Sequence, residues 1–218
     1  MLELKNVTTE IAGTLILRDV TFSVEKGSMV GLIGRNGAGK TTSLRSIMGL
    51  LKPKSGQILI NGTDMTKQGS FERAGMSIGY MPEDRRLVPD LTVEENIMAP
   101  AWACQLTSAE ARLAWIYEMM PEVEAFSDRR ALQLSGGQQK LVALARAMMT
   151  GTNLLLLDEP FEGVAPALSR RLASVLSTLK DEGLTVLLSE SDQSHSADLV
   201  DEAFQIERGS VEPLASLT

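Results

Sequence analysis

The spacing of apolar residues changes character several times along the chain. Residues 2–7, 15–24 and 29–33 are rich in β-branched or alternating apolar positions punctuated by polar residues and glycine, which predicts strands. The first of these predict an antiparallel layer. Past Gly39, Ser43, Leu44, Ile47, Met48 and Leu51 fall at helical intervals, and the segment is expected to stop at Lys52-Pro53. Lys54-Ser55-Gly56 and Asn61-Gly62 predict turns around a short strand at 57–60, and 77–80 predicts another strand ahead of Pro82. From 91 to 120 the pattern is helical, with Glu94 and Glu95 behind a Thr92 cap, where the helix dipole favours them. A further helix follows Ser135-Gly136-Gly137 and runs to Met149. The leucines at 154–157 predict a strand buried on both faces, as in a parallel sheet. A helix is expected at 166–180, with Pro166 in its first turn and Gly183 near its end. Beyond it come a strand at 185–188, a helix at 194–199 and a last strand at 203–207. No internal repeat or low-complexity tract interrupts the pattern. The alternation predicts an α/β fold with a mostly parallel sheet and an inserted helical subdomain.

One segment carries chemistry of high specificity. Gly34-Arg35-Asn36-Gly37-Ala38-Gly39-Lys40-Thr41 fits G-x-x-x-x-G-K-[ST] between a predicted strand and a predicted helix, the context this phosphate loop requires. Asn36, Gly37, Ala38, Gly39, Lys40, Thr41 and Thr42 are therefore expected to bind a nucleoside triphosphate, which the family resemblance given below makes ATP. Backbone N–H groups and the helix N-terminus cradle the phosphates, and Lys40 reaches the β- and γ-phosphates. The Thr41 hydroxyl is the expected Mg²⁺ ligand. After the four leucines, Asp158 ends the strand where a second metal ligand is needed, and Glu159 is placed to polarise an attacking water.

Composition narrows the function classes. With 218 residues, 44% hydrophobic and 22% charged, the chain reads as one globular domain. A net charge of −7 argues against nucleic acid as a partner. The single cysteine, Cys104, excludes an intrachain disulfide and fits a reducing compartment. The start of the chain does not read as a signal peptide, and no apolar run approaches the roughly 18–20 residues that cross a bilayer. The expected location is cytoplasmic, with any membrane attachment made through a partner.

Leu134-Ser135-Gly136-Gly137-Gln138-Gln139, some twenty residues before Asp158, resembles the signature of the ABC ATPases. The resemblance implies a P-loop NTPase (RecA-like) core, residues 1–83 and 141–218, with an N-terminal antiparallel β layer and a helical signature subdomain at 84–140. It also implies that Ser135, Gly136, Gly137 and Gln138 act in trans on ATP bound to a second ATPase subunit, identical or different. Residues 35–42, 79–86, 91–96 and 162–166 are similar to those of the shorter ATPase subunit of branched-chain amino acid, urea and amide importers. That implies permease subunits, docked near Arg85, Arg86, Leu87, Val88 and Trp102, and indirectly a periplasmic-type solute-binding protein. It places the chain peripherally on the cytoplasmic face of the inner membrane. For the docking residues a plainer role competes, Arg85-Arg86 as a solvated pair and Trp102, like Trp115, as core filling.

Four positions depart from the family pattern. Glu83 stands where a glutamine is usual, as a further metal and catalytic residue; Ser191 stands where a histidine bonds the γ-phosphate. Ile11 takes the place of the adenine-stacking aromatic, and Ala165 that of an aspartate. His195 is expected on a helix and partly exposed, rather than as a displaced switch. The expected function is ATP hydrolysis by Glu159, Glu83 and Ser191 that powers an importer, with a clamp of little turnover as the alternative. Import or export is not specified by this chain.

Overall fold

The computed structural model describes residues 1–214. The chain opens with β1 (Leu2–Ile11), β2 (Thr14–Val24), β3 (Met29–Ile33), α1 (Lys40–Ile47), β4 (Ser55–Ile60) and β5 (Thr63–Asp64). It continues through α2 (Ser70–Gly75), β6 (Ile78–Met81), α3 (Val93–Ala103), α4 (Ala109–Met119), α5 (Pro121–Glu124) and α6 (Gly136–Thr150). β7 (Leu154–Asp158), α7 (Pro166–Asp181), β8 (Thr185–Glu190), β9 (Glu202–Glu207) and β10 (Ser210–Pro213) complete it. A four-stranded antiparallel sheet has the order β2-β1-β4-β5, and a six-stranded sheet has the order β10-β9-β3-β8-β7-β6. In the second sheet only the β10–β9 pair is antiparallel.

The parallel strands are apolar throughout because both their faces are covered. Leu154 and Leu156 point into one core with Val30, Leu32, Leu44 and Ile47, where α1 and the antiparallel sheet pack. Leu155 and Leu157 point into the other with Val142, Leu172 and Leu176, under the helices from α3 to α7. The pleat thus divides four consecutive leucines between two cores. At the start of α3, Thr92 and Glu95 form a reciprocal capping box, as their spacing predicts.

Several expectations are corrected. The first helix ends at Ile47, not at Lys52-Pro53: Gly49 takes φ +77°, and the N–H groups of Gly49 and Leu50 return to the carbonyls of Ser46 and Arg45. The strand expected at 57–60 begins at Ser55, inside the expected turn. The helical stretch 91–120 is two helices, broken where Gln105 adopts φ +53°. The expected boundary at 140/141 lies within the continuous helix α6. Residues 194–199 form turns rather than a helix. There Asp192 accepts from the Ser194 N–H and the Ser196 hydroxyl bonds to Glu190, so side chains compete with a helical ladder. His195 is exposed on these turns, its Nδ1 3.1 Å from the Ser169 hydroxyl. The strand at 203–207 is not the last, because β10 pairs with it.

The short α2 was not expected. Its Arg73 is 0% exposed and donates to the carbonyls of Ser46 (2.8 Å), Met65 (2.6 Å) and Ile47, which satisfies the end of α1. Arg73→Leu removes the charged donor from all three carbonyls and leaves that of Ile47 without a partner, a cost of about 3 kcal/mol. A fall in Tm of about 10 °C is expected, checked by thermal unfolding.

Candidate nucleotide site

β3 delivers the phosphate loop to the carboxyl edge of the parallel sheet, and α1 begins directly behind it. The turn into the helix requires glycine at 39: its φ is +118°, and a Cβ there would lie 2.9 Å from the Leu17 Cδ2. A cavity of about 430 Å³ opens over the loop. Asn36, Gly37, Gly39, Lys40, Thr41 and Thr42 line it from the loop side, with Ile16, Glu83 and Glu159 around them. The unpaired N–H groups of the first turn of α1 make this end of the helix electropositive.

Lys40, 5% exposed, sits with Nζ 2.9 Å from Glu159 Oε1, and donates to the carbonyls of Arg35 (3.2 Å) and Gly34. Asp158 is fully buried at the end of β7. Its Oδ1 accepts from the hydroxyls of Thr41 (3.1 Å) and Ser189 (2.8 Å), and its Oδ2 from the Tyr80 hydroxyl (3.3 Å). Burial pushes the Asp158 carboxyl above its ordinary range, and these hydroxyls offset part of that. Burial, with Asp158 beside it, also pushes the Tyr80 phenol up. The Thr41 hydroxyl and the Asp158 carboxylate form a hard oxygen set at the loop, of the kind that fits Mg²⁺ beside phosphate. The Ser191 hydroxyl lies 3.1 Å from Asn36 Oδ1 and 3.2 Å from Glu159 Oε1.

Glu190, one residue before Ser191, is 4% exposed and bonded to the Ser196 hydroxyl. Burial raises its pKa from 4.5 to about 7, with the charges of Asp192 and Glu159 adding to the rise. The folded chain therefore holds a proton there that the unfolded chain releases. That contribution to stability is full below about pH 4.5 and is lost as pH rises through about 7. Glu190→Gln is expected to flatten this decline and to gain up to about 3 kcal/mol over the parent at pH 8, read by urea unfolding across pH.

The signature residues stand apart from this cavity. Ser135 caps α6 by a reciprocal box with Gln138, and both Ser135 and Gly136 are exposed. The Gly136 carbonyl accepts from Arg85 at 3.2 Å. None of Ser135, Gly136, Gly137 and Gln138 lines the phosphate cavity.

Other expected residues are placed differently. Ile11 lies outside the cavity, 40% exposed where β1 turns into β2, while Ile16 lines it. Ala38 lines a neighbouring cavity instead, of about 630 Å³. Ala165 caps α7 without a side-chain bond. Sequence reasoning also missed Ser189 and Lys140, whose polar atoms meet the site from buried positions, and the half-buried Tyr80. Ser189 carries a signal, a hydroxyl at the end of an apolar strand, whereas Lys140, preceded by Gln138 and Gln139, carries none.

The loop after Glu83 is held from α6. Arg146 donates to the carbonyls of Arg86 (2.6 Å) and Arg85, both of which have positive φ. A groove of about 290 Å³ beside it is lined by Leu50, Tyr80, Pro82, Arg86, Pro100 and Arg146, among others. Leu87 is partly buried against the helical core, and Val88 is 47% exposed. Trp102 is 56% exposed, against the expectation of core filling, whereas Trp115 packs on the core with Arg112 over its ring. No helix among the described residues is long and apolar enough to cross a membrane.

Residues 17–162 match the ABC transporter family. The chain is 35% identical over 97% of its length to the high-affinity branched-chain amino acid transport ATP-binding protein BraG of Pseudomonas aeruginosa, covering 91% of that protein. It is 33% identical over 94% of its length to the lipopolysaccharide export system ATP-binding protein LptB of Escherichia coli K12, covering 86% of it. A dimeric ATP-binding cassette solved in a post-hydrolysis state with ADP and phosphate superposes with a TM-score of 0.87. That cassette is 27% identical, with 99% of this chain and all of that chain covered. The phosphate loop over a parallel sheet, the carboxylates behind it and these likenesses agree: the chain belongs to the ABC transporter family and is an ATPase, the nucleotide-binding subunit of a transporter.

Proposed function

We propose that this ATPase powers an importer of branched-chain amino acids or related small polar solutes such as urea and amides, paired with a second ATPase subunit. The observation that carries the pairing is the separation of Ser135 and its helix N-terminus from the chain's own phosphate cavity. An exposed anion site with no phosphate of its own to bind suits the nucleotide of a neighbour. In isolation, a second copy of this chain takes the neighbour's place.

Within one site, Lys40 and the N–H groups around Gly37 to Thr42 bind the triphosphate, and Ile16, rather than Ile11, offers the apolar contact. Thr41, Asp158 and Glu83 are the residues that would hold Mg²⁺, which when bound neutralises charge on the phosphate oxygens. Lys40 and Glu159 form an ion pair. Phosphate oxygens compete for Lys40, and Glu159 is then free to accept the proton of the water that attacks the γ-phosphorus as the bond to the bridging oxygen breaks. Ser191, already bonded to Glu159 and Asn36, holds the carboxylate and offers one donor to the γ-phosphate. Its lack of charge makes it a weaker partner than a protonated histidine.

The permease docks on the groove lined by Leu50, Arg86 and Pro100 and on the exposed Val88 and Trp102, and holds the chain on the cytoplasmic face of the membrane. The helical segment 84–140 connects that surface to the signature. The solute-binding protein acts only through the permease. The likeness to LptB favours export as a second reading. Uptake of labelled leucine, isoleucine, valine, urea and acetamide by cells lacking the chain separates them. Loss of uptake of one class supports import, and unchanged uptake of all of them overturns it.

A further inference from the structure

Glu159 leaves β7 with φ +51°, a left-handed backbone that non-glycine residues seldom adopt. Its peptide groups are held from both sides. The Glu159 N–H donates to the Ser189 carbonyl (3.2 Å) and hydroxyl (3.1 Å). The Glu159 carbonyl accepts from Lys140 Nζ at 2.7 Å, and the same ammonium donates to the Glu162 carbonyl at 2.6 Å. Lys140 therefore bridges the two ends of the turn that follows the β7 carboxylates.

Lys140 is 4% exposed in the second turn of α6 and makes no ion pair among the described residues. Burial, with Arg85 nearby, pulls its pKa below the usual lysine range. Burying an ammonium is costly, and Leu141, Val142 and Leu144 beside it show what this helix uses where packing alone is needed. The return on that cost lies in the two carbonyls. If the backbone at Glu159 relaxed to a right-handed conformation, its carbonyl would turn off Lys140 and its side chain would leave Lys40. We infer that Lys140 is a positioning residue for the hydrolytic reaction: it fixes the left-handed peptide that aims the Glu159 carboxylate into the phosphate cavity. The inference rests on the reading of Glu159 as the base.

The test is steady-state ATP hydrolysis and affinity for a non-hydrolysable ATP analogue, measured on the full chain. The variants are Lys140→Met, Lys140→Gln, Glu159→Gln and the double substitution Lys140→Met/Glu159→Gln. Lys140→Met is expected to lower kcat about 100-fold, the order expected of a displaced catalytic group, with KM and analogue affinity unchanged. Lys140→Gln, which keeps a donor, recovers part of the rate and carries the test if Lys140→Met does not fold. The double variant is expected to turn over no more slowly than Glu159→Gln, because Lys140 acts through Glu159. Unchanged kcat in Lys140→Met, equal losses of kcat and analogue affinity, or a double variant slower than Glu159→Gln would each overturn the proposal. Full turnover by Glu159→Gln would instead overturn the reading on which it rests.

Discussion

Glu159→Gln is expected to reduce ATP turnover about 10³-fold, the upper part of the range for loss of a general base, while ATP binding is kept. The amide has the shape of the carboxylate but cannot take a proton from water. Glu159 Oε1 lies 2.9 Å from Lys40 Nζ and 3.2 Å from the Ser191 hydroxyl, so a neutral side chain weakens the hold on Lys40 without changing volume. Lys40 then meets the phosphates with less competition, and affinity holds or rises. Phosphate release together with equilibrium nucleotide binding checks both halves. Equal loss of binding and turnover would assign Glu159 to binding instead.

Lys40→Ala is expected to weaken ATP binding about 100-fold, the scale of losing a desolvated charge partner. Lys40 is the one cationic side chain lining the phosphate cavity among the described residues. Its removal leaves Glu83 and Glu159 facing a polyanion with only backbone N–H groups to oppose them. It also leaves Glu159, 5% exposed, without its ion-pair partner. Titration with a fluorescent ATP analogue reads the loss. Unchanged affinity would mean that the loop backbone alone holds the phosphates.

What could be read from the sequence follows from how local the determining physics is. The parallel strands were legible because burial on both faces makes each strand continuously apolar, as at Leu154–Asp158. The phosphate loop was legible because glycine, lysine and threonine at fixed spacing have few other uses. The Thr92 cap is set within three residues of sequence and was equally plain. The misses have long-range causes. α2 spans only Ser70–Gly75 and is anchored by Arg73, whose partners lie across the chain at Ser46, Ile47 and Met65. β10 is a short, mostly exposed edge strand with no apolar rhythm, held by its pairing to β9. At 194–199, where a helix was expected, Asp192 bonds the Ser194 N–H and Ser196 bonds Glu190, and turns form instead. The choice of Ile16 over Ile11 beside the phosphates depends on the β1–β2 register, whose shifts no local pattern announces. Lys140 was passed over because nothing in its own helix says which carbonyls it will meet.

The proposed pairing closes ATP between the phosphate loop of one subunit and the Ser135 helix of another. It is tested most directly by light scattering on the purified Glu159→Gln chain with Mg²⁺ and ATP, beside the same chain carrying Ser135→Arg. ATP is expected to double the mass from the 23.6 kDa of one chain, and Ser135→Arg to prevent the doubling without loss of nucleotide binding. A chain that binds ATP yet stays at the single-chain mass at every concentration, or one that dimerises as well with Ser135→Arg, would contradict it.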